Sequence, residues 1–434
     1  MSPRRPTPGL SNARGDDPMT TTNVTVGATS LSRFNWRLAI ALFFGGALWI
    51  APYIGSISVL MPARVAIVAP EDKVGIVTIL SVTGAVLALV ANVVFGALSD
   101  TTRSRFGART PWIAGGALLS AVALYGFSTA STVLTLFLWW GLYLTVINAI
   151  IAPMVATIAD QVPEKYRGTV SSVYGLAQLI GATGSSIVAA GFVTAPSSGL
   201  VVFSVLTLLS AVLFIAIAPR RSNRDQVRER IGLRALLRTF RPPLRGARDF
   251  YFALSGKFLL QAALYSVTGF QLYILTDYIK LHTDQAGQLI ATLGVISLLT
   301  GVVFGFGSGP LSDRVGRRKP FVIGAAALVA VGVAFPLFAP MAWAMMAFGV
   351  LSGIGNGIYG SVDQALNIDV LPDKENAAKD LGILNIANSG GQILGPVITS
   401  VLVAVSGGYQ ATFIAAFILL IGSALLIMPI RSVR

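Results

Sequence analysis

The chain has 434 residues, 54% of them hydrophobic and only 12% charged, a polar share too small to cover a water-soluble fold of this length. It has no cysteine, which excludes disulfides and thiol chemistry, and its single histidine, His282, lies in a polar loop, so neither a metal centre nor a cofactor is expected. A net charge of +14 would suit nucleic acid, but the basic residues are gathered in one linker and at the ends of apolar runs, which is the pattern of membrane topology.

Residues 1–35 are rich in Pro, Ser, Thr and Arg and contain no apolar core. That predicts a disordered cytoplasmic tail, neither signal peptide nor span. Beyond it the apolar residues come in runs of about 20, the length at which a helix crosses a hydrocarbon core. Six runs follow at 36–60, 74–98, 111–130, 133–158, 169–193 and 200–218, the first interrupted by Pro52 and several glycines. The linker 219–249 then carries ten arginines, with Val227, Ile231, Leu236 and Phe240 at roughly helical spacing. Two readings stand side by side here: an amphipathic helix lying on anionic lipid, or a solvated loop. Six more runs occupy 250–278, 288–310, 320–339, 341–367, 381–404 and 409–429. The expected fold is an all-α membrane protein with twelve transmembrane helices in two six-helix bundles, 36–218 and 250–430.

A repeated basic loop supports the division. Gly96-Ala97-Leu98-Ser99-Asp100 leads to Gly107-Ala108-Arg109-Thr110-Pro111, and Gly309-Pro310-Leu311-Ser312-Asp313 leads to Gly316-Arg317-Arg318-Lys319-Pro320. The two aspartates are 313 − 100 = 213 positions apart, about half the chain. Asp369-Val370-Leu371-Pro372-Asp373-Lys374 likewise echoes Asp160-Gln161-Val162-Pro163-Glu164-Lys165, at 369 − 160 = 209. A duplication of this period means two homologous halves. With both termini inside, 28 of the 32 Lys and Arg fall on the inner side, against Arg64, Lys73 and Lys280 outside and Lys257 within a span. The asymmetry predicts cytoplasmic termini in a plasma (inner) membrane.

With twelve spans, a central basic linker and a duplicated Gly-x-Leu-Ser-Asp…Gly-x-Arg loop, the chain resembles the major facilitator superfamily. The run from Thr102 to Trp112, and Asn148…Pro153…Ala156…Asp160 in span 4, resemble more particularly its glycoside–pentoside–hexuronide and sucrose-symporter branch. That resemblance implies a sugar or glycoside carrier driven by an ion gradient. Sodium-coupled members carry a carboxylate four residues before the glycine that opens the loop. Here that residue is Asn92, so no sodium site is expected there and a proton is the favoured coupling ion.

The charged loops predict a gate. Asp100 can face the positive end of a helix in the other half, and Arg109 can pair with Asp160. Arg317 or Arg318 can pair with Asp369 in the second copy, and Arg105, Arg167 and Asp313 complete the gating set. Such pairs are expected to break when the inner gate opens; the alternative is that these arginines only set topology. Within the spans two ionisable residues stand out, Lys257 and Asp363. An intramembrane charge is costly and by default functional. Their similar depth leaves three readings open: a pair that takes part in coupling, a static bridge, or two residues that do not touch.

For a sugar, amide groups beside an aromatic platform are the fitting chemistry. Spans 1, 4, 7 and 10, which usually line the cavity in the superfamily that this chain resembles, offer Trp49, Tyr53, Asn148, Gln261, Tyr265, Gln271, Tyr273, Asn356, Tyr359 and Gln364. Spans 5 and 11 add Gln178, Asn388 and Gln392. Each could equally be an interhelical hydrogen bond. Trp139 and Trp140 are expected to pack against lipid or a neighbouring helix. The glycine-rich Gly353-Ile354-Gly355-Asn356-Gly357 lies within a span, with no phosphate-binding lysine, and no enzyme signature is present. The expectation is a monomeric carrier in the bilayer moving a small solute, a sugar or glycoside first, with efflux of a drug-like solute or a transport-inactive receptor on the same fold as alternatives.

Overall fold

The computed structural model describes residues 34–219, 222, 247–370 and 377–430. The tail before residue 34, nearly all of the arginine-rich linker with its amphipathic segment, and residues 371–376 of the second echo loop lie outside the described residues, as do the side chains of Asp313 and Gln364.

The described residues form twelve helical rods. The first half comprises α1 (Trp36–Val68), α2 (Lys73–Thr101), α3 (Thr110–Thr129), α4 (Val133–Gln161), α5 (Glu164–Ala190) and α6 (Pro196–Ile217). The second comprises α7 (Arg248–Thr268 continued by Gln271–Tyr278), α8 (Thr283–Val315), α9 (Lys319–Phe338), α10 (Ala342–Asp369), α11 (Ala377–Ser406) and α12 (Gln410–Ile427). Ten are individually long and apolar enough to cross a membrane, and α7 makes an eleventh once its two pieces, bent by 50°, are joined. The remaining one, α10, has the length, 28 residues, but its glycines, Asn356, Asp363 and Asn367 dilute its hydropathy.

Local chemistry sets the helix ends. Asn35 accepts from the Leu38 amide at the start of α1, and Thr132 with Thr135 forms a capping box at the start of α4. Pro111, Pro196 and Pro320 occupy first turns, where a missing N–H costs nothing. Gly107 and Gly316 hold φ of 92° and 63° at equivalent points of the two basic loops, a left-handed backbone that a Cβ disfavours. Two helices carry π-helical turns, Ser56–Leu60 in α1 and Ile274–Tyr278 in α7. Such insertions mark places where a helix can flex.

The two halves repeat one packing scheme. α1 lies against α5 and α6, as α7 lies against α11 and α12; α3 packs on α4 and α6, as α9 packs on α10 and α12. Across the halves the main contacts are α5 with α8 and α2 with α11.

Candidate functional site

The cross-half contacts lie toward one end of the molecule, the face away from the basic loops. There an added Cβ at Gly287 would meet Val193 Cγ1 at 2.6 Å and the Ala190 carbonyl at 2.9 Å, and one at Gly294 would meet Ser186 at 3.2 Å. Thr78 of α2 approaches the Pro396 carbonyl of α11 at 3.4 Å. The Tyr273 hydroxyl donates to the Pro62 carbonyl at 2.8 Å, and Lys73 meets Asp277 at 2.8 Å. Nearer the basic loops the same two helices part: Gly168 and Gly175 of α5, and Gly301 and Gly307 of α8, face open space. Among the described residues the halves therefore enclose a cleft that is closed at one face and open at the basic-loop face.

At the closed end the cleft widens into two adjoining cavities that share Ile54, Ile57, Tyr265 and Gly269. The larger, about 360 Å³, is lined by α1, α5, α7, α8 and α10, with Gln271, Asn356 and the hydroxyls of Ser58, Thr183, Ser186, Thr268, Ser297 and Ser352 set among Ile290, Leu293 and Phe348. The smaller, about 60 Å³, is lined by Tyr53, Met61, Ser81, Ala85, Trp140, Leu144, Gln392 and Pro396, among others. Among the described residues, none that lines either cavity is an Asp, Glu, Lys or Arg.

Two amide links brace the α7–α11 wall. Gln392 donates to the Tyr265 hydroxyl at 2.9 Å, and Gln261 donates to Asn388 at 2.8 Å. Across the cleft, Trp49 donates its indole N–H to the Tyr174 hydroxyl at 3.1 Å, and Gln178 bonds the same hydroxyl. Trp49 is thus a buried brace between α1 and α5, while its neighbour Tyr53 reaches the cavity. Asn148 likewise braces: it accepts from Asn92 of α2 at 3.0 Å and donates to the Leu144 carbonyl. Tyr273, a candidate for the solute site, stands instead at the closed face, 2% exposed, with its hydroxyl on Pro62.

Sequence reasoning missed the cavity hydroxyls, because a serine or threonine inside a span so often bonds its own helix that it carries no signal. Trp140 packs on Phe127 of α3, as a neighbouring-helix contact, and it also lines the smaller cavity, a role that sequence reasoning missed; Trp139 packs at Gly126 of the same helix. The Trp140 indole N–H and the Tyr143 hydroxyl are buried without a partner among the described residues.

Lys257 and Asp363 lie within 2.7 Å of each other, each side chain 6% exposed. Asn367 donates to the same carboxylate oxygen at 2.9 Å, and the Tyr359 hydroxyl is in hydrogen-bond reach of it. The carboxylate is thereby compensated, as an ion sunk in a span must be.

At the open face Arg109 bridges the ends of three helices. It pairs with Asp100, reaches Asp160 at 2.8 Å and donates to Ser99 at 2.6 Å. Burial works against its charge, but the bonds and charges of Asp160, and then Asp100, outweigh that and raise its pKa above the ordinary guanidinium value. In the second loop Arg318, not Arg317, pairs with Asp369, at 2.5 Å. Arg167 closes the end of α4 through the Val162 and Ala159 carbonyls, and Arg105 lies over the Phe106 ring. Each Arg–Asp pair joins helices of one half and is intact while this face is open. Neither partner of either pair reaches across the cleft.

The sequence profile of the Major Facilitator Superfamily matches residues 19–287 and 257–434, and the chain belongs to that family. Its members carry small-molecule solutes across membranes. Stretches of the chain are similar to monocarboxylate transporter 12-B of Danio rerio, 27% identical over 190 residues (42% of this chain, 38% of that protein). They are also similar to the class C tetracycline resistance protein of Escherichia coli, 30% identical over 142 residues (32% of this chain, 34% of that protein). The matched stretch thus spans little more than a third of either relative. In fold, the nucleoside transporter NupG superposes with a TM-score of 0.71 at 15% identity, covering 91% of this chain and 99% of that one. A bacterial homolog of the human lysosomal transporter Spinster, in an inward-facing and occupied conformation, superposes at 0.69 with 12% identity over 90% and 95% of the two chains.

Proposed function

We propose that the chain is a secondary carrier for an uncharged, partly apolar hydroxylated solute, a sugar or more particularly a glycoside, moved by rocking of its two halves. The observation that carries this reading is the cavity lining. Among the described residues it has no charged side chain, so an ionised solute would be stripped of water without a counter-ion. It sets Gln392, Tyr265, Gln271 and Asn356 beside Ile54, Ile57, Leu293 and Phe348, which suits a hydroxylated ring at one end and an apolar group at the other.

In this reading the basic loops face the cytoplasm of a bacterial-type inner membrane, as the arginine and lysine asymmetry requires, and the cleft is open inward. The chain works as a monomer, with the two bundles as its moving units. Lys257 and Asp363 are the coupling pair, a proton entering as the pair separates. Asp100, Arg109, Asp160, Arg318 and Asp369 hold the inner ends of each bundle rigid. The test is a thermal-shift screen of sugars and alkyl or aryl glycosides on purified protein, with and without sodium. It is followed by uptake of any hit into proteoliposomes under an imposed pH gradient. Stabilisation by glycosides and sodium-independent, gradient-dependent accumulation are expected; stabilisation by organic anions alone would overturn the reading. Efflux of an apolar solute is the second reading, favoured by the aliphatic part of the lining, and the direction of accumulation decides it.

A further inference from the structure

Outside the cleft, the first half carries a third cavity, about 330 Å³, nearly as large as the wider solute cavity. It is a groove at the basic-loop end between α2 and α3, both of which lean on α4. Gly116 and Ala149 form its floor: a Cβ on Gly116 would meet Ala149 Cβ at 2.9 Å, whereas one on Gly115 would meet nothing within 4 Å. Phe95 and Trp112 wall it, with ring centroids 5.6 Å apart. Its two polar side chains bond each other, the Trp112 indole N–H donating to the Thr102 hydroxyl at 2.8 Å. An indole at a membrane boundary commonly turns its N–H toward the headgroups. This one turns it inward, which fixes the ring as a wall. From Pro111 to Leu119 the groove follows α3 for about 12 Å, at 1.5 Å per residue. The second half is built otherwise at these places. Ile358 stands where the first half has Ala149, by 358 − 149 = 209, and Ser308 where it has Phe95, by 308 − 95 = 213, bonded to Ser361 at 2.6 Å. The mouth of the groove is positive. Arg109 is drawn inward to Asp100 and Asp160. Arg103 arches over the end of α2, donating to the Asp100 and Thr102 carbonyls. Arg105 is exposed, lies over the Phe106 ring and forms no ion pair among the described residues.

We propose that this groove is a lipid site: it takes one acyl chain of an anionic phospholipid from the leaflet on the basic-loop side, and the lipid phosphate lies against Arg103 and Arg105. The chemistry matches at both ends. Aromatic walls over a floor of small residues give a flexible apolar chain close contact, and the hydrogen bonds of the lining are already spent. Two arginines at the rim bind a phosphate diester, and a zwitterionic headgroup would bring its own cation against them. The seated chain splints α2 to α3, which otherwise meet through α4. The site is independent of which solute is carried and of which ion drives it.

The test is tryptophan quenching in the purified full-length protein in detergent, titrated with phosphatidylglycerol brominated along its acyl chains. The Trp112 share is the quenching that Trp112→Phe removes. It is expected to saturate at one lipid per chain; a share that climbs in proportion to added lipid marks an indole bathed in bulk lipid and overturns the site. Arg103→Gln and Arg105→Gln should each raise the half-saturating concentration about fivefold, the weight of one basic residue at an anionic surface. Brominated phosphatidylcholine on the parent protein should need about 25-fold more than phosphatidylglycerol, the effect of both arginines together. Equal half-saturation by the two lipids overturns the proposal. Gly115→Leu fills the groove and should abolish the saturable share. Gly324→Leu, its equivalent by 324 − 115 = 209, has the same open surroundings and should leave that share unchanged. Loss in both variants, or in neither, overturns the site. Should Gly115→Leu melt early, the two lipids on the parent protein decide. Failure of every glycoside to bind would sink the solute reading and leave these titrations unchanged.

Discussion

The two halves follow one plan, and they differ where equivalent positions are compared. Lys257 and Asp363 correspond to Gly45 and Met154, by 257 − 45 = 212 and 363 − 154 = 209, the latter being the offset of the echo loops. In the first half a Cβ on Gly45 would meet Met154 Cε at 3.1 Å, an apolar contact; in the second the same place holds a buried ion pair. The Trp49–Tyr174 bond corresponds to Gln261–Asn388, an indole–phenol brace against an amide–amide one. Tyr53 and Tyr265 are equivalent, 265 − 53 = 212, and both line the smaller cavity. The reverse holds at the basic-loop end of the inner helices: Asn92–Asn148 is a polar bond, while Gly305 and Gly357 touch through backbone. Duplication therefore fixed the packing, and the halves diverged in polarity, with the buried charge confined to the second.

The largest expected effect comes from unbalancing that charge. Asp363→Leu leaves Lys257 alone in a dry site and should destabilise the purified protein by about 3–5 kcal/mol, read as a fall in thermal unfolding temperature. The double change Lys257→Met with Asp363→Leu makes the second half resemble the first and should regain most of that stability while losing gradient-driven accumulation. Undiminished accumulation in the double variant would break the idea that the halves divided the work.

The next prediction tests what the halves share. Gly181→Ala would push into the Ala47 carbonyl at 2.4 Å and Gly395→Ala into the Ser266 amide at 2.7 Å. Each should cost about 1–3 kcal/mol of thermal stability, and to a similar extent. A large inequality would mean that the repeat is not one of packing. A smaller effect is expected in the cavity. Gln392→Ala removes the bond to Tyr265 and should weaken solute binding by about 1 kcal/mol in a titration, whereas Gln178→Ala, equivalent by 392 − 178 = 214 but bonded to Tyr174 outside the cavity, should leave it unchanged. The smallest is at the loops. Arg318→Ala loses the water-reached pair with Asp369, worth about 0–1 kcal/mol, and Arg109→Ala, which serves Asp100, Asp160 and Ser99, should cost more than Arg318→Ala in the same melt.

Much of the fold was readable before any coordinates, because apolar run length and lysine–arginine bias are averages over many residues. The helix limits moved outward at places such as α1, where the apolar segment Met61–Val68 continues the helix past a π-helical turn, and α8, where helix continues past the apolar stretch into polar turns. Lys257 and Asp363 could be singled out since ionisable groups inside spans are rare. Tyr273 and Lys73 could not be read correctly. The partner of Lys73 is 204 positions away, and a lone lysine between spans looks like a topology charge. Trp49 and Tyr53, four residues apart, looked alike in sequence; only Tyr174 opposite decides that one braces and the other faces the cleft. The aliphatic and hydroxyl lining was illegible for a related reason, as the same residue types fill every helix–helix seam.

The α5–α8 contact at the closed face has a further consequence. At Gly287 the nearest neighbours of a new methyl group include a main-chain carbonyl, that of Ala190, so in the proposed rocking the fulcrum between the halves is built in part from backbone. A pivot of that kind does not shift when distant side chains change. Cargo preference can therefore drift along the cavity wall while the stroke of the machine stays constant, and one methyl wedged at residue 287 would alter the stroke with every cargo contact left in place.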